Sequence, residues 1–481
     1  MDRISFSFFV FNDTAKRLTF FTIIDFAVLF IWLILIVAYG LYKVSKNSDK
    51  LYYKDYFKHL MYKIGFAIVF SMYYIFIVKG GDSIAFYDMG GCMTKLFMKS
   101  PDLYLNNLLN DFNSPNFINA YDLTTGLPPR WIMTEKESFF VGKIASLFSL
   151  ITANSYLVIS IIFATITANV TWRFYELVLK IFPDSNRWVT YAILFIPSLS
   201  FWCTGVSKDT LVVISIFSIV THVFGLILGH QKSKLTSYLL IIFHVWMMYH
   251  LRTVVLISLM IPIFIALSSR ISNRFREFAF FRRFVQFLIG LVSIGGFFIG
   301  VQSYGDEVSV EKYIKEAEVQ TKDFTENKLY TGKKYTIEVT DYSPVGLIKV
   351  FPQAILAGLF RPYIWEALSV SLFLNGIEST ILIYLLIKFL TNNRKRRIKM
   401  IRENEFLLFS FFFILIFGFI TGFSSIIFGV LVRLRAPLLP FLALLLVIDV
   451  AEDKKETVDI EDDSKIESNG MPVLSSPTAN K

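Results

Sequence analysis

Nine ionisable side chains stand at the ends of apolar runs, where a charge borders hydrocarbon and water at once. They are Asp82, Asp88, Lys208, Asp209, Arg252, Arg361, Glu366, Arg433 and Arg435. Their types divide between two kinds of chemistry. A carboxylate at such a boundary stays close enough to water to ionise and is placed to take a proton from an attacking hydroxyl. An arginine offers a planar fork that grips phosphate through two hydrogen bonds, and a lysine offers a compact point charge. Charge beside hydrocarbon is costly, so such residues are functional candidates by default. Each also has a plainer role. Asp82, after Gly80 and Gly81, fits a cap on the next helix. Lys208 and Asp209 fit a helix-start ion pair, and Arg252 fits a side chain reaching to headgroups. Arg361, with Trp365 and Glu366, fits an interfacial anchor. Arg433 and Arg435, just before Pro437 and Pro440, resist the plain reading most.

The elements that must position these residues are membrane helices. The chain is 54% hydrophobic, with 51 Phe and 23 Tyr in 481 residues, and its mean hydropathy is +0.55. Its apolar residues come in long uninterrupted runs. Only helices or closed barrels satisfy their backbone in lipid, and a barrel would show short alternating strands. The expected fold is therefore an all-α polytopic membrane protein. The net charge of +10 is no nucleic-acid signal, because the cations collect in short loops between apolar runs. Cys92 and Cys203 are the only cysteines, which excludes a disulfide framework and a cysteine metal site. Both fall on the outer side, which leaves a bridge between them open, but two unpaired thiols are the expectation. His222, His244 and His250 lie in or near spans with no carboxylate at ligand spacing, so no metal site is readable.

Read in order, residues 19–42 form the first span, preceded by Lys16 and Arg17 and too long for a signal-peptide core. A loop with Lys43, Lys46, Lys50, Lys54, Lys58 and Lys63 follows and reads as cytoplasmic. Within it LYYKDYFKHLMYK has the spacing of an interfacial amphipathic helix. Residues 64–78 cross outward to an outer loop at about 79–143, long enough to carry short helices of its own. Further spans are expected at 144–171, 188–204 and 210–229. Residues 235–268 are expected to make two short helices, with His250, Leu251 and Arg252 at their outer turn. Arg270, Arg274, Arg276, Arg282 and Arg283 mark the next inner loop. Residues 285–302 lead to a second outer loop at 303–345, and 345–361 reads as an interfacial segment interrupted by Lys349 and Pro352. Spans at 367–390 and 405–422 flank the inner run TNNRKRRIKMIR. A short outer segment ends in VRLRAPLLP, and the last span stops near Asp449. The total is about eleven spans within a transmembrane domain over 1–451, followed by a disordered acidic cytoplasmic tail at 452–481.

This topology puts all nine residues on the outer face. Several arginines and a lysine bordering the outer leaflet suit a lipid-linked phosphate or pyrophosphate, and a nearby carboxylate suits a general base. Together they describe group transfer from a polyprenyl-phosphate carrier.

At four places the chain resembles the GT-C glycosyltransferases and their bacterial relatives in polysaccharide assembly: GGDSIAFYDMG at 80–90, PSLSFWCTGVSKD at 197–209, LFRPYIWEA at 359–367 and VRLRAPLLP at 432–440. The resemblance implies a polyprenyl-phosphate-linked glycan donor, a glycan or lipid acceptor, and residence in a bacterial inner membrane. It implies Asp82 as the early-loop acid that serves as base, with Lys208, Arg433 and Arg435 on the lipid phosphate or the sugar. The chain departs from the family in three ways. Its acid follows the second span rather than the first, and Asp82 and Asp88 stand six apart instead of forming a close doublet. Its outer loop at 303–345 has no soluble-domain signature, unlike members with large C-terminal domains. No cofactor is required by this reading, and carboxylates near phosphate leave room for a divalent cation. A related alternative is a Wzy-like polymerase that relies on arginines binding pyrophosphate. A lipid-linked glycan flippase, from a different class, would line a path with mid-span charges. A membrane O-acyltransferase lacks a histidine with a convincing polar partner.

Overall fold

A computed structural model describes residues 20–110, 120–183, 185, 187–230, 233–273, 318–319, 334–335, 337, 344–367, 369–392 and 394–448. Those residues are almost entirely helical. Among them, eight helical stretches are long and apolar enough to cross a membrane. The expected count of about eleven is not established. The expected span 285–302, the cations from Arg274 to Arg283, nearly all of the 303–345 loop and the 452–481 tail lie outside the described residues.

The chain opens with α1 (Ile23–Lys46), whose first turn is closed by a capping box between Thr22 and Asp25. A 3₁₀ turn at Leu51–Tyr53 runs directly into α2 (Lys54–Met72), which continues as a π-helical stretch at Tyr73–Val78. The LYYKDYFKHLMYK segment is therefore not a separate interfacial helix. It is the first half of one helical stretch over Leu51–Val78 that is long and apolar enough to cross a membrane. The reason is its buried face: Tyr56, His59, Leu60 and Lys63 point into the bundle at helical spacing.

Four helical elements follow α2 in the chain. They are α3 (Gly81–Lys99), α4 (Pro101–Leu109), a 3₁₀ turn at Ile132–Thr134 and α5 (Lys136–Ile151). Glycine permits α3 and α5 to pack closely: a Cβ on Gly90 would stand 3.1 Å from the Ala145 backbone. The crossing expected at 144–171 divides into α5 and α6 (Tyr156–Ile181). Ala153 and Asn154 take left-handed backbone angles between them, at φ 50° and 55°, and so end the first helix.

The span expected at 188–204 is two short helices, α7 (Arg187–Leu194) and α8 (Pro197–Trp202). Pro197 supplies no N–H and disfavours helical angles at Ile196, which breaks the run. In an apolar surrounding the freed backbone groups need partners. His59 Nδ1 lies 2.9 Å from the Leu194 carbonyl, and the Tyr62 hydroxyl donates to the Phe195 carbonyl at 3.1 Å. On the other side of the break, the Ser198 N–H and hydroxyl donate to the Glu378 carboxylate at 3.2 and 2.6 Å.

Beyond the break come α9 (Lys208–Ile227), α10 (Lys234–Leu251) and α11 (Thr253–Asn273). Residues 235–268 do form two helices that meet at Arg252, though both are longer than expected. The next elements are α12 (Pro344–Phe360), α13 (Val370–Thr391), α14 (Arg394–Glu403) and α15 (Glu405–Ser424). The segment read as interfacial is α12, and it lies directly on α15. The chain ends with α16 (Phe428–Arg435), a 3₁₀ turn at Ala436–Leu438 and α17 (Leu439–Val447). VRLRAPLLP is thus helical rather than an outer connector. Pro437 and Pro440 sit at the first positions of new helical segments, where a missing N–H is tolerated.

Candidate functional site

The site begins where α2 stops. Its π stretch ends at Lys79, which is left-handed, and Gly80 and Gly81 follow at φ 140° and 81°. Glycine reaches those angles without steric cost, so the chain turns within three residues. Gly80 is the N-cap of α3, and Asp82 therefore lies in the first turn rather than serving as the cap. A carboxylate there faces the positive end of the helix dipole.

Asp82 Oδ1 accepts from the Tyr74 hydroxyl at 3.0 Å and from the Ser83 N–H at 2.9 Å. Its Oδ2 lies 2.5 Å from Arg433 Nη2. Arg433 comes from the last turn of α16, and its Nε donates to Asp209. Asp209 lies in the first turn of α9, whose N-cap Ser207 accepts from the Thr210 N–H, and it is only 1% exposed. Arg252, between α10 and α11, completes the row with Nη2 at 3.0 Å from Asp209 Oδ1. Four distant parts of the sequence thus form an alternating line of charge, Asp82–Arg433–Asp209–Arg252, with no net charge.

Lys208, next to Asp209, turns to the rim and pairs with Glu135 at 2.8 Å and Glu137 at 3.3 Å. Arg361 pairs with Glu366 at 3.0 Å, and its guanidinium lies 4.9 Å from the centre of the Tyr335 ring. Arg435 is fully buried and touches none of the acids in the line. It donates to the carbonyls of Leu359 at 3.2 Å and Arg361 at 2.5 Å, and to the Ser379 hydroxyl at 3.0 Å. Those carbonyls end α12, so Arg435 satisfies a helix terminus. Tyr74, Glu135 and Glu137 are partners that sequence reasoning missed. Tyr74 lies inside an apolar run with nothing to single it out, whereas the acids of TEKES at 134–138 were a readable signal.

The two candidate acids of α3 differ in their electrostatics. Burial pushes the Asp82 carboxyl up, but the Arg433 charge and hydrogen bonds from Arg433, Tyr74 and Ser83 outweigh it and hold the group below the usual range. Such a carboxylate is ionised and a weak base. Asp88 has no such partners among the described residues, and burial pushes it up to about 7 against the opposing charge of Lys95. It therefore exchanges a proton in the neutral range. The nearby Cys92 thiol is pushed up to about 12, by burial first and the Asp88 charge second. Cys92 and Cys203 are both free thiols.

Asp88 carries a testable sign. Its proton is held in the folded state up to about pH 7 and lost near pH 4 on unfolding, so its contribution to stability falls as pH rises between those values. Asp88→Asn removes that loss. The variant is expected to melt ~2–4 °C above the parent at pH 8 and level with it at pH 4. A constant difference at both pH values would show that Asp88 does not titrate in that window.

Among the described residues, no three His, Cys, Asp or Glu side chains gather as a metal ion would need. Comparison with family models, with curated proteins and with solved structures gives no match to this chain.

Proposed function

We propose that the chain transfers a glycosyl group from a polyprenyl-phosphate-linked donor to a glycan or lipid acceptor, at the extracytoplasmic face of a bacterial inner membrane. The observation that carries this reading is the contact between Asp82 and Arg433, which joins an acid and a phosphate-binding type of cation across the whole length of an apolar chain. Around it Arg252 and Lys208 add cations at the same end of the bundle. Each cation is already held by a carboxylate, so the donor's phosphate meets preorganised groups and exchanges for a carboxylate partner.

The roles follow from the electrostatics. Asp82 positions Arg433, and Asp88 accepts the proton of the acceptor hydroxyl. The hydroxyl oxygen attacks the anomeric carbon, and the bond to phosphate oxygen breaks with its electron pair. The cations balance the charge that then collects on the departing polyprenyl phosphate.

Purified protein supplied with a polyprenyl-phosphate sugar and an acceptor tests this. Asp88→Asn is expected to lower turnover by ~10²–10⁴, the range general-base catalysis contributes. Full turnover in Asp88→Asn with loss in Asp82→Asn would make Asp82 the base. Full turnover in both, with loss only in Arg433→Ala, would favour an arginine-based polymerase mechanism.

A second reading, translocation of a lipid-linked glycan, draws support from Lys63, a fully buried cation inside a span. Movement of the lipid-linked glycan across a vesicle bilayer without a new glycosidic bond would favour it.

A further inference from the structure

Lys63 follows His59 by four residues on α2, so the two share one face of the helix. Both are fully buried. Among the described residues, neither Lys63 Nζ nor His59 Nε2 has a hydrogen-bond partner, and no carboxylate pairs with Lys63. Lys63 stands eleven residues, or ~16 Å of helix, before Tyr74 at the Asp82 end, and nine residues, or ~14 Å, after Lys54. It therefore lies near the middle of the helical stretch over Leu51–Val78 and away from the site described above.

An ammonium without counter-charge or acceptor is strongly unfavourable in such a place, whereas an amine is not. The groups that face the pair leave this unresolved. Cys203, at the end of α8, is the titratable group that bears on Lys63. Lys43, from α1, adds like charge near His59, and α6 presents the neutral Asn169.

Toward the end opposite Asp82, hydrogen-bonding groups continue along the same face. Tyr56 donates to Asn169 Oδ1 at 2.9 Å, as Lys43 does at 2.8 Å. Toward Asp82 the face turns apolar at Ala67 and Phe70, both fully buried, and the Phe70 ring packs against Gly205.

We propose that Lys63 is a proton-binding site in the middle of the bundle, which gains and loses its proton with the His59 ring as its neighbour in the exchange. This stands whether the protein transfers or translocates a glycan.

The full chain, labelled with ¹⁵N-lysine in nanodiscs, tests it by NMR between pH 5 and 10. Lys63→Met assigns the Lys63 resonance, and Lys63→Arg does so if the first variant fails to fold. The expected result is a single lysine that passes between ammonium and amine on its own curve, apart from the surface lysines. His59→Gln is expected to move that midpoint by about one pH unit, since it removes the neighbouring ring. A resonance fixed at the ammonium position throughout, or one that follows the surface lysines, overturns the proposal. A midpoint unmoved by His59→Gln overturns the role of His59.

Discussion

Arg433→Ala is expected to destabilise the bundle by about 3–5 kcal/mol, the range found when one partner of a buried ion pair is removed. Arg433 is the only cation in the described contacts that touches both Asp82 and Asp209. Without it, Asp82 keeps only the Tyr74 hydroxyl and its neighbouring N–H, and two carboxylates face one another across the gap. Arg433→Lys is expected to recover only part of the loss, because a point charge cannot span both acids as a planar fork does. The combination of Asp82→Asn, Asp209→Asn and Arg433→Met removes the charges that Arg433 joins but leaves Arg252 without its acid, and it is expected to restore only part of the stability. Denaturant unfolding in detergent reads all three. Equal midpoints for the parent and Arg433→Ala would show that the pairing contributes nothing to the fold. The triple variant separates function from folding: it is expected to fold and to be inactive in glycosyl transfer.

Gly422→Ala carries the second large effect. On α15 Gly418 and Gly422 are spaced by four, and on α12 Ala354 and Gly358 repeat the spacing, so two small-residue faces meet. A Cβ built on Gly422 would lie 1.9 Å from the Ala354 carbonyl oxygen, and one on Gly358 would lie 2.1 Å from that of Gly418. Both obstacles are backbone, which cannot rotate away, so the helices must separate. A loss of about 3 kcal/mol is expected, at the upper end of the range for overpacking. The Tyr335 hydroxyl, which donates to the Gly422 carbonyl at 2.7 Å, is displaced with it. Gly429→Ala is the control. Nothing lies within 4 Å of its Cβ, and alanine favours the helix by up to ~1 kcal/mol. Equal effects at the two positions would refute the close-packing account. Because Arg435 ties the end of α12 to α16, which also bears Arg433, separation at Gly422 is expected to reduce turnover as well as stability.

The helical membrane class was readable from the length of the apolar runs. So was the gathering of Asp82, Asp209, Arg252 and Arg433 at one end, because cations that defy the loop bias must be held by something. The partition of roles was not readable. Arg433 and Arg435 look equivalent in VRLRAPLLP, but two residues of helix rotate their side chains by about 200°, and one meets acids while the other meets carbonyls. Lys63 was hidden among the lysines of its loop, since a local count of cations does not register which one turns inward. The stop at residues 152–155 contains neither glycine nor proline, and only Asn154 hints at a left-handed residue. Pro197 announced its break openly. The Gly418–Gly422 spacing was also present in the sequence, but it stands inside a run of phenylalanines that gives no sign of which face packs.

That break at Pro197 bears on how the protein is made. The N-terminal side of the gap is completed by His59 and Tyr62, which have already left the ribosome when α7 and α8 emerge. The other side waits for Glu378, which lies 180 residues further along the chain. Through that interval the N–H and hydroxyl of Ser198 have no permanent partner, and the pair of short helices cannot settle among hydrocarbon. Arg433, arriving later still, is what closes the line from Asp82 to Asp209. The interior of this bundle therefore sets from its C-terminal helices backward, and a nascent chain cut short of α13 is left with its centre unsealed.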